Sequence, residues 1–231
     1  MPSKGAAPTG SGPDLLATVA SALVVCAHPD DESFGLGAVL DHLAKMGIEL
    51  SVLCLTHGEA STLGARPGGL ARLRADELSA AAGVLGVASI WLYDHPDGML
   101  AGEDSATLAA ELAAAIEKSG AELLLVFDRG GVTGHPDHER ATALALSAPP
   151  ELPVLAWTLP AGVASQLNDE FGTTFLGRSD DEIDIRLAVD RSCQRRAIAC
   201  HLSQSGDNPV LWRRLELLGA EESLRWLRRP A

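Results

Sequence analysis

Short apolar runs of strand length, each ending in a polar cluster and followed by a helical stretch, constrain this chain more than any other feature. Residues 22–27 (ALVVCA) form the first such run, and a helical stretch follows at 36–46. Residues 50–55 make the second strand, and 70–85 carry the Ala/Leu spacing and Arg/Glu content of a long amphipathic helix closed by Gly86. A third strand is expected at 90–93, a helix at 106–118 ended by Gly120, and a fourth strand at 123–127. Residues 154–158 and 183–189 read as two further strands, and 190–202 and 210–227 as terminal helices. Strands alternating with helices are the pattern of a parallel sheet with helices on its faces. The expectation is a Rossmann-like three-layer α/β domain with a mainly parallel sheet.

A length of 231 residues suits one sizeable core better than two ordinary domains. Residues 14–231 are read as one domain behind a disordered Gly/Pro/Ser-rich tail at 1–13, which lacks the apolar stretch of a signal peptide. No apolar run approaches the ~18 residues that a membrane span needs. A net charge of −13, from 31 acidic and 18 basic residues, repels a phosphate backbone and disfavours nucleic acid as a partner. Arg213, Arg214, Arg225, Arg228 and Arg229 are the nearest thing to a basic cluster, and they are read as a solvated helix face or a subunit contact. Cys26 and Cys54 fall inside strand-like runs as small buried hydrophobes, and no CxxC pair occurs. Reduced thiols and a soluble, cytoplasmic protein are the expectation.

In a parallel sheet the functional groups gather beyond the carboxyl ends of the strands. His28-Pro-Asp-Asp-Glu32 follows the first strand and Thr56-His-Gly-Glu59 the second. Asp94-His-Pro-Asp-Gly98 follows the third, and the run from Asp128 to His138 follows the fourth. His-Pro-Asp recurs at 28–30, 95–97 and 135–137, always at a strand exit. Proline restricts the residue before it to extended geometry, so each histidine should stand just ahead of a turn or helix.

Three carboxylates and an imidazole within five residues at the end of a buried strand repel one another unless a cation neutralises them. His28 and Asp31 are three apart across a turn, and His135 and His138 repeat that spacing. A hydrolytic zinc site needs three protein ligands and an open position for water. His28, Asp31 and His138 fill that role, giving a net charge near +1 that acidifies a bound water. Asp30 is then the unligated carboxylate that serves as general base. His135 stabilises an oxyanion or protonates a leaving amine, with Asp137 orienting it. The competing reading makes Asp30, Asp31 and Asp137 simple helix caps.

The motif at 27–32 (AHPDDE), followed by Gly131-Val-Thr-Gly-His-Pro-Asp-His138, resembles the LmbE-like (PIG-L) zinc deacetylases, which remove N-acetyl groups from N-acetylglucosaminyl compounds. Weaker marks are Thr56-x-Gly-Glu59, Arg74-x-x-Glu77-Leu78, Pro96-Asp-Gly98 and Ala199-x-His-x-Ser-Gln204. The resemblance implies one Zn2+ per chain on His28, Asp31 and His138, Asp30 as base, and His135 as electrophilic or acid partner. It further implies that Arg74 and Asp97 contact a small amino-sugar substrate, and that the chain can form homo-oligomers as relatives often do. The plain alternatives are an i,i+3 pair of Arg74 with Glu77 and a turn-initiating Asp97. His57 departs from the family pattern, and both it and His95 are read as surface imidazoles. His201 is read as structural or adjacent to the site. The chain is also shorter than the relatives that act on the mycothiol precursor, which argues against that substrate. Rival readings are an amidase on a thiol conjugate, a binding protein that keeps the metal without turnover, and an NAD(P)-binding oxidoreductase. Gly35-x-Gly37 lacks the third glycine that the last of these would need.

Overall fold

The computed structural model describes residue 16 and residues 18–63 and 69–230; the tail expected at 1–13 lies outside them. The strands are β1 (Ser21–Cys26), β2 (Glu49–Thr56), β3 (Val87–His95), β4 (Leu123–Phe127), β5 (Val154–Pro160), β6 (Gly177–Arg178), β7 (Ile185–Ala188) and β8 (Glu221–Arg228). They form one eight-stranded sheet in the order β3-β2-β1-β4-β5-β8-β7, with β6 beside the end of β5. Pairing is parallel from β3 to β5 and antiparallel on both sides of β8.

The helices are α1 (Asp31–Phe34), α2 (Gly37–Lys45), α3 (Leu70–Leu85), α4 (Ser105–Ser119), α5 (Pro136–Leu146), α6 (Ala161–Phe171), α7 (Ser192–Ile198), α8 (Leu202–Ser205) and α9 (Pro209–Leu218). Successive residues of a strand point to opposite faces. Val24 and Cys26 therefore join Leu40 of α2 and Leu78 of α3 in one apolar cluster. Leu23 and Val25 join Leu108 of α4 and Ala145 of α5 in another. Both faces of the sheet are covered, giving the three-layer α/β arrangement. Among the described residues no helix is long and apolar enough to cross a membrane.

The chain leaves β1 for β2 on one side, while β4 pairs with β1 on the other. The strand order reverses between β1 and β4, and a crevice opens at their carboxyl ends. The segments after these strands carry His28 to Asp31 and His135 to His138, which brings residues 110 positions apart into contact.

The C-terminal segment differs from expectation. The helix expected at 210–227 stops at Leu218, and residues 221–228 are strand β8. Gly219 breaks the helix with φ 55°, and antiparallel pairing with β5 and β7 overrides the local helix propensity that follows. The helix expected at 190–202 ends at Ile198, with a separate turn of helix at Leu202–Ser205. The arginines 213 to 229 consequently share no helix face. Arg214 is buried, Arg225 faces Asp128, and Arg228 donates to the carbonyls of Leu146, Ala148, Pro149 and Leu152.

Candidate active site

His28 and His138 bring their rings together from either side of the crevice. His28 Nδ1 lies 3.2 Å from His138 Nε2, which is in turn 3.1 Å from Asp31 Oδ1; Asp31 Oδ2 is 3.8 Å from His28 Nδ1. A tetrahedral zinc ion with ligand bonds of about 2.1 Å spaces its donors roughly 3.4 Å apart. The donor groups of the three residues lie close to that spacing, and one atom from each can be chosen within 4.8 Å of the others.

The other nitrogen of each ring fixes where its proton sits. His138 Nδ1 faces the Gly131 carbonyl at 3.2 Å and Thr133 Oγ1 at 3.0 Å, so the proton belongs there. His28 Nε2 faces Asp97 Oδ1 at 2.9 Å and Asp137 Oδ2 at 3.4 Å, which holds its proton on that side. Both inward nitrogens point at each other and at a carboxylate, and each can offer a lone pair to a cation. Without one, burial acts downward on the His28 imidazole, but its hydrogen bonds to Asp137 and Asp97 hold it well above its ordinary value, so a proton takes the place of a cation in the cluster. His28, His135 and Asp137 form a second group with donors in reach of one another. That group is less free, because the Asp137 carboxylate accepts from Gly98 N at 2.7 Å and Leu100 N at 3.1 Å.

The carboxylates are not helix caps. Asp31 Oδ2 accepts from the backbone of Ala27 and His28, behind its own helix, and Asp30 makes no side-chain capping bond. Asp30 sits at φ 117°, a left-handed conformation that L-residues rarely hold, and it is fixed by Ser33 N and Phe34 N donating to its carbonyl. Burial pushes the Asp30 carboxyl up to about 6 against the pull of the Arg74 guanidinium. Burial also acts upward on Asp31, but the His138 and His28 imidazoles hold it well below the usual carboxylate range. For His135, burial and the neighbouring His28 and His138 push the imidazole down. Its Nδ1 accepts from Asp137 N at 3.2 Å, so the neutral ring carries its proton on Nε2.

Several sequence expectations shift. Arg74 is 3% exposed and pairs with Asp30 through Nη2 at 2.9 Å, not with Glu77. It also donates to the carbonyls of Gly58 and Pro29, while Glu77 accepts from Ser203. A Cβ on Gly58 would lie 1.8 Å from Arg74 Nη1, which explains the glycine. Asp97 lines the cavity but spends one oxygen on His28 and accepts from Ala60 N with the other. The Asp137 carboxylate orients His28, where the sequence reading paired it with His135. His95 is no surface group: its ring lies between Glu103 and Glu111 with 11% of the side chain exposed. His57 pairs with Asp94 near the surface, and buried His201 hydrogen-bonds Glu32. Sequence reading missed Arg214, which lines the cavity from α9.

Residues His28, Asp30, Asp31, Arg74, Asp97, His135 and His138 line one cavity of about 480 Å³. Two imidazoles and a carboxylate for a metal, with a second carboxylate beside them, are the donor set of a metal-assisted hydrolase. The family model described as PIG-L: GlcNAc-PI de-N-acetylase matches residues 23–149, and the chain belongs to that family of amide-cleaving hydrolases. A 1D-myo-inositol 2-acetamido-2-deoxy-alpha-D-glucopyranoside deacetylase of Mycolicibacterium vanbaalenii is 32% identical, with 81% of each chain covered. A probable N-acetylglucosaminyl-phosphatidylinositol de-N-acetylase of Schizosaccharomyces pombe is 35% identical over 56% of this chain and 52% of its own. Among solved structures, the N,N'-diacetylchitobiose deacetylase of Pyrococcus horikoshii has a TM-score of 0.66 at 21% identity, covering 93% of this chain and 86% of that one. The 4-carboxy-2-hydroxymuconate hydratase of Pseudomonas putida KT2440 reaches 0.67 at 22%, covering 91% and 97%. The fold thus serves hydratases as well as deacetylases, and the reaction must be argued from the site.

Proposed function

We propose that the protein is a zinc-dependent N-deacetylase acting on an N-acetylglucosamine-type conjugate. The observation that carries this reading is the pair of inward imidazole nitrogens converging with Asp31 beside a second carboxylate, Asp30. His28, Asp31 and His138 would hold the metal. Bound there, Zn2+ supplies Lewis acidity, which acidifies a water molecule and polarises an acetyl carbonyl.

The remaining steps belong to the chain's own groups. Arg74 holds Oδ2 of Asp30, which lines the cavity, and Oδ1 takes the proton of the attacking water. A carboxyl raised to about 6 is a stronger base than a solvated one and is still ionised at neutral pH. The Nε2–H of His135 donates to the oxyanion of the tetrahedral intermediate. Asp97 and Asp137 hold the His28 proton outward and keep its Nδ1 free. The names of the relatives support the substrate class, since both act on N-acetylglucosaminyl compounds.

The test is acetate release from a panel of N-acetylglucosaminyl glycosides, with and without chelator, beside Asp30→Asn. Metal-dependent release that is lost in the variant supports the reading. A thiol-conjugate amidase would cleave only its larger amide, and a protein that binds without turnover would release nothing.

A further inference from the structure

The charged groups lining the cavity are matched, with one exception. Asp30 is paired with Arg74, Asp31 with His138, and Asp97 with His28. Arg214 lines the same cavity and is 6% exposed, yet no acidic side chain among the described residues pairs with it. Its Nη2 donates to the Phe34 carbonyl at 2.7 Å, and its guanidinium lies 5.1 Å from the centre of the Trp157 ring. Its Nε is buried without a hydrogen-bond partner among the described residues. Burial pushes its pKa down to about 10 against the pull of the Glu222, Asp30 and Asp31 charges, none of which is in an ion pair with it among the described residues.

A buried guanidinium is costly unless a counter-charge satisfies it. Here the open side of the group is the cavity, so the missing partner would arrive with the ligand. Guanidinium presents paired donors whose fork matches the two oxygens of a phosphate or carboxylate. The contact with Phe34 and the stack on Trp157 fix the plane of that fork in advance.

We propose that Arg214 is a substrate-binding residue, and that it selects conjugates whose non-acetyl part carries an anionic oxygen group, a phosphate or a carboxylate. The inference deepens the deacetylase reading and rests on it for the sugar. Arg214 binds and orients; the proton transfers remain with Asp30 and His135.

Binding of deacetylated glycosides tests it without turnover. Calorimetry on the zinc-loaded protein would compare the methyl glycoside, the 1-phosphate and the carboxymethyl glycoside of glucosamine. The expected result is at least about tenfold tighter binding of one or both charged forms over the methyl form. Which of the two gains distinguishes phosphate from carboxylate. In Arg214→Gln the preference should collapse to within about twofold while the methyl glycoside binds as before, and Arg214→Lys should restore part of it. An anionic preference that survives in Arg214→Gln would assign the anion to the metal and overturn the proposal. So would equal binding of all three forms by the native protein, or equal weakening of all three in a Gln variant whose melting temperature is native. Acetate release is measured separately, so failure of the deacetylase reading stays distinguishable.

Discussion

His28 Nδ1 and His138 Nε2 face each other at 3.2 Å across the β1–β4 crevice, and the outer nitrogen of each ring is already engaged by protein oxygens. With Asp31 beside them these nitrogens make a place for a cation, which in the metal-free protein is filled by a proton that Asp137 and Asp97 hold on His28 against the effect of burial. Zinc should therefore raise the thermal stability, by about 2.7 kcal/mol when free metal is 100 times its Kd. His138→Ala should bind no stoichiometric metal and show no zinc-dependent shift. Melting curves with and without chelator, read beside metal analysis, check both. A native protein indifferent to zinc would remove the basis of the site.

Asp30 takes no part in the converging triad, so its amide should leave the metal in place. Asp30→Asn is expected to keep one equivalent of zinc and to lose about 10²–10⁴-fold in kcat. The asparagine still accepts from Arg74, which keeps the variant folded. Native turnover in the zinc-loaded variant would show that another group takes the proton.

Asp97 would act on a metal held by His28 at one remove, since its carboxylate lies 2.9 Å from His28 Nε2. Asp97→Asn should weaken zinc binding by about 10–100-fold, the usual range for a lost partner of a ligand histidine. Asp137 stays 3.4 Å from the same nitrogen, which keeps the loss short of complete. Competition against a chelator indicator gives the affinity. If saturating zinc restores native kcat, Asp97 serves the metal; if KM for the sugar stays raised in saturating zinc, it serves the substrate.

Gly58 is where the backbone passes under Arg74. An added Cβ would lie 1.8 Å from Arg74 Nη1 at a position whose φ is +63°. Gly58→Ala should drive the guanidinium off Asp30, reducing kcat while zinc content holds. The strained backbone adds roughly 1–3 kcal/mol of destabilisation. Denaturant unfolding and acetate release measure the two effects apart, and native kcat in the variant would separate Arg74 from the base.

The parallel half of the sheet and the convergence of the His and Asp residues were legible because their signals are local. Strand runs of five or six apolar residues stand out, and His28 with Asp31, or His135 with His138, sit three apart at a strand exit. What stayed hidden depends on partners far along the chain. Asp137 reaches His28 across 109 residues, and Arg74 reaches Asp30 across 44. Sequence spacing gave Arg74 a nearby Glu77, but folding assigned that carboxylate to Ser203. Residues 221–228 (EESLRWLR) hold enough helix formers to read as helix, and only pairing between β5 and β7 makes them a strand. Arg214 was lost with them, since a helix carried through to Leu227 made it one arginine of a solvated face.

Glu222 supplies the test of that strand. It is fully buried, accepts from Trp157 Nε1 at 2.7 Å with one oxygen, and is bound by Arg191 Nη1 with the other. Arg191 also donates to the Glu221 and Gly219 carbonyls, so this ion pair ties the end of α9 to the start of β8. Glu222→Ala leaves a buried guanidinium without its counter-charge and an indole N–H without its acceptor, and breaking such a pair from one side costs about 3–5 kcal/mol. Glu222→Gln keeps an acceptor for Trp157 and should lose less. Both residues lie outside the metal cluster, so the folded fraction of either variant should still bind zinc stoichiometrically. Urea unfolding gives the stabilities. A loss below about 1 kcal/mol in the alanine variant would mean that β8 is held by its backbone pairing alone.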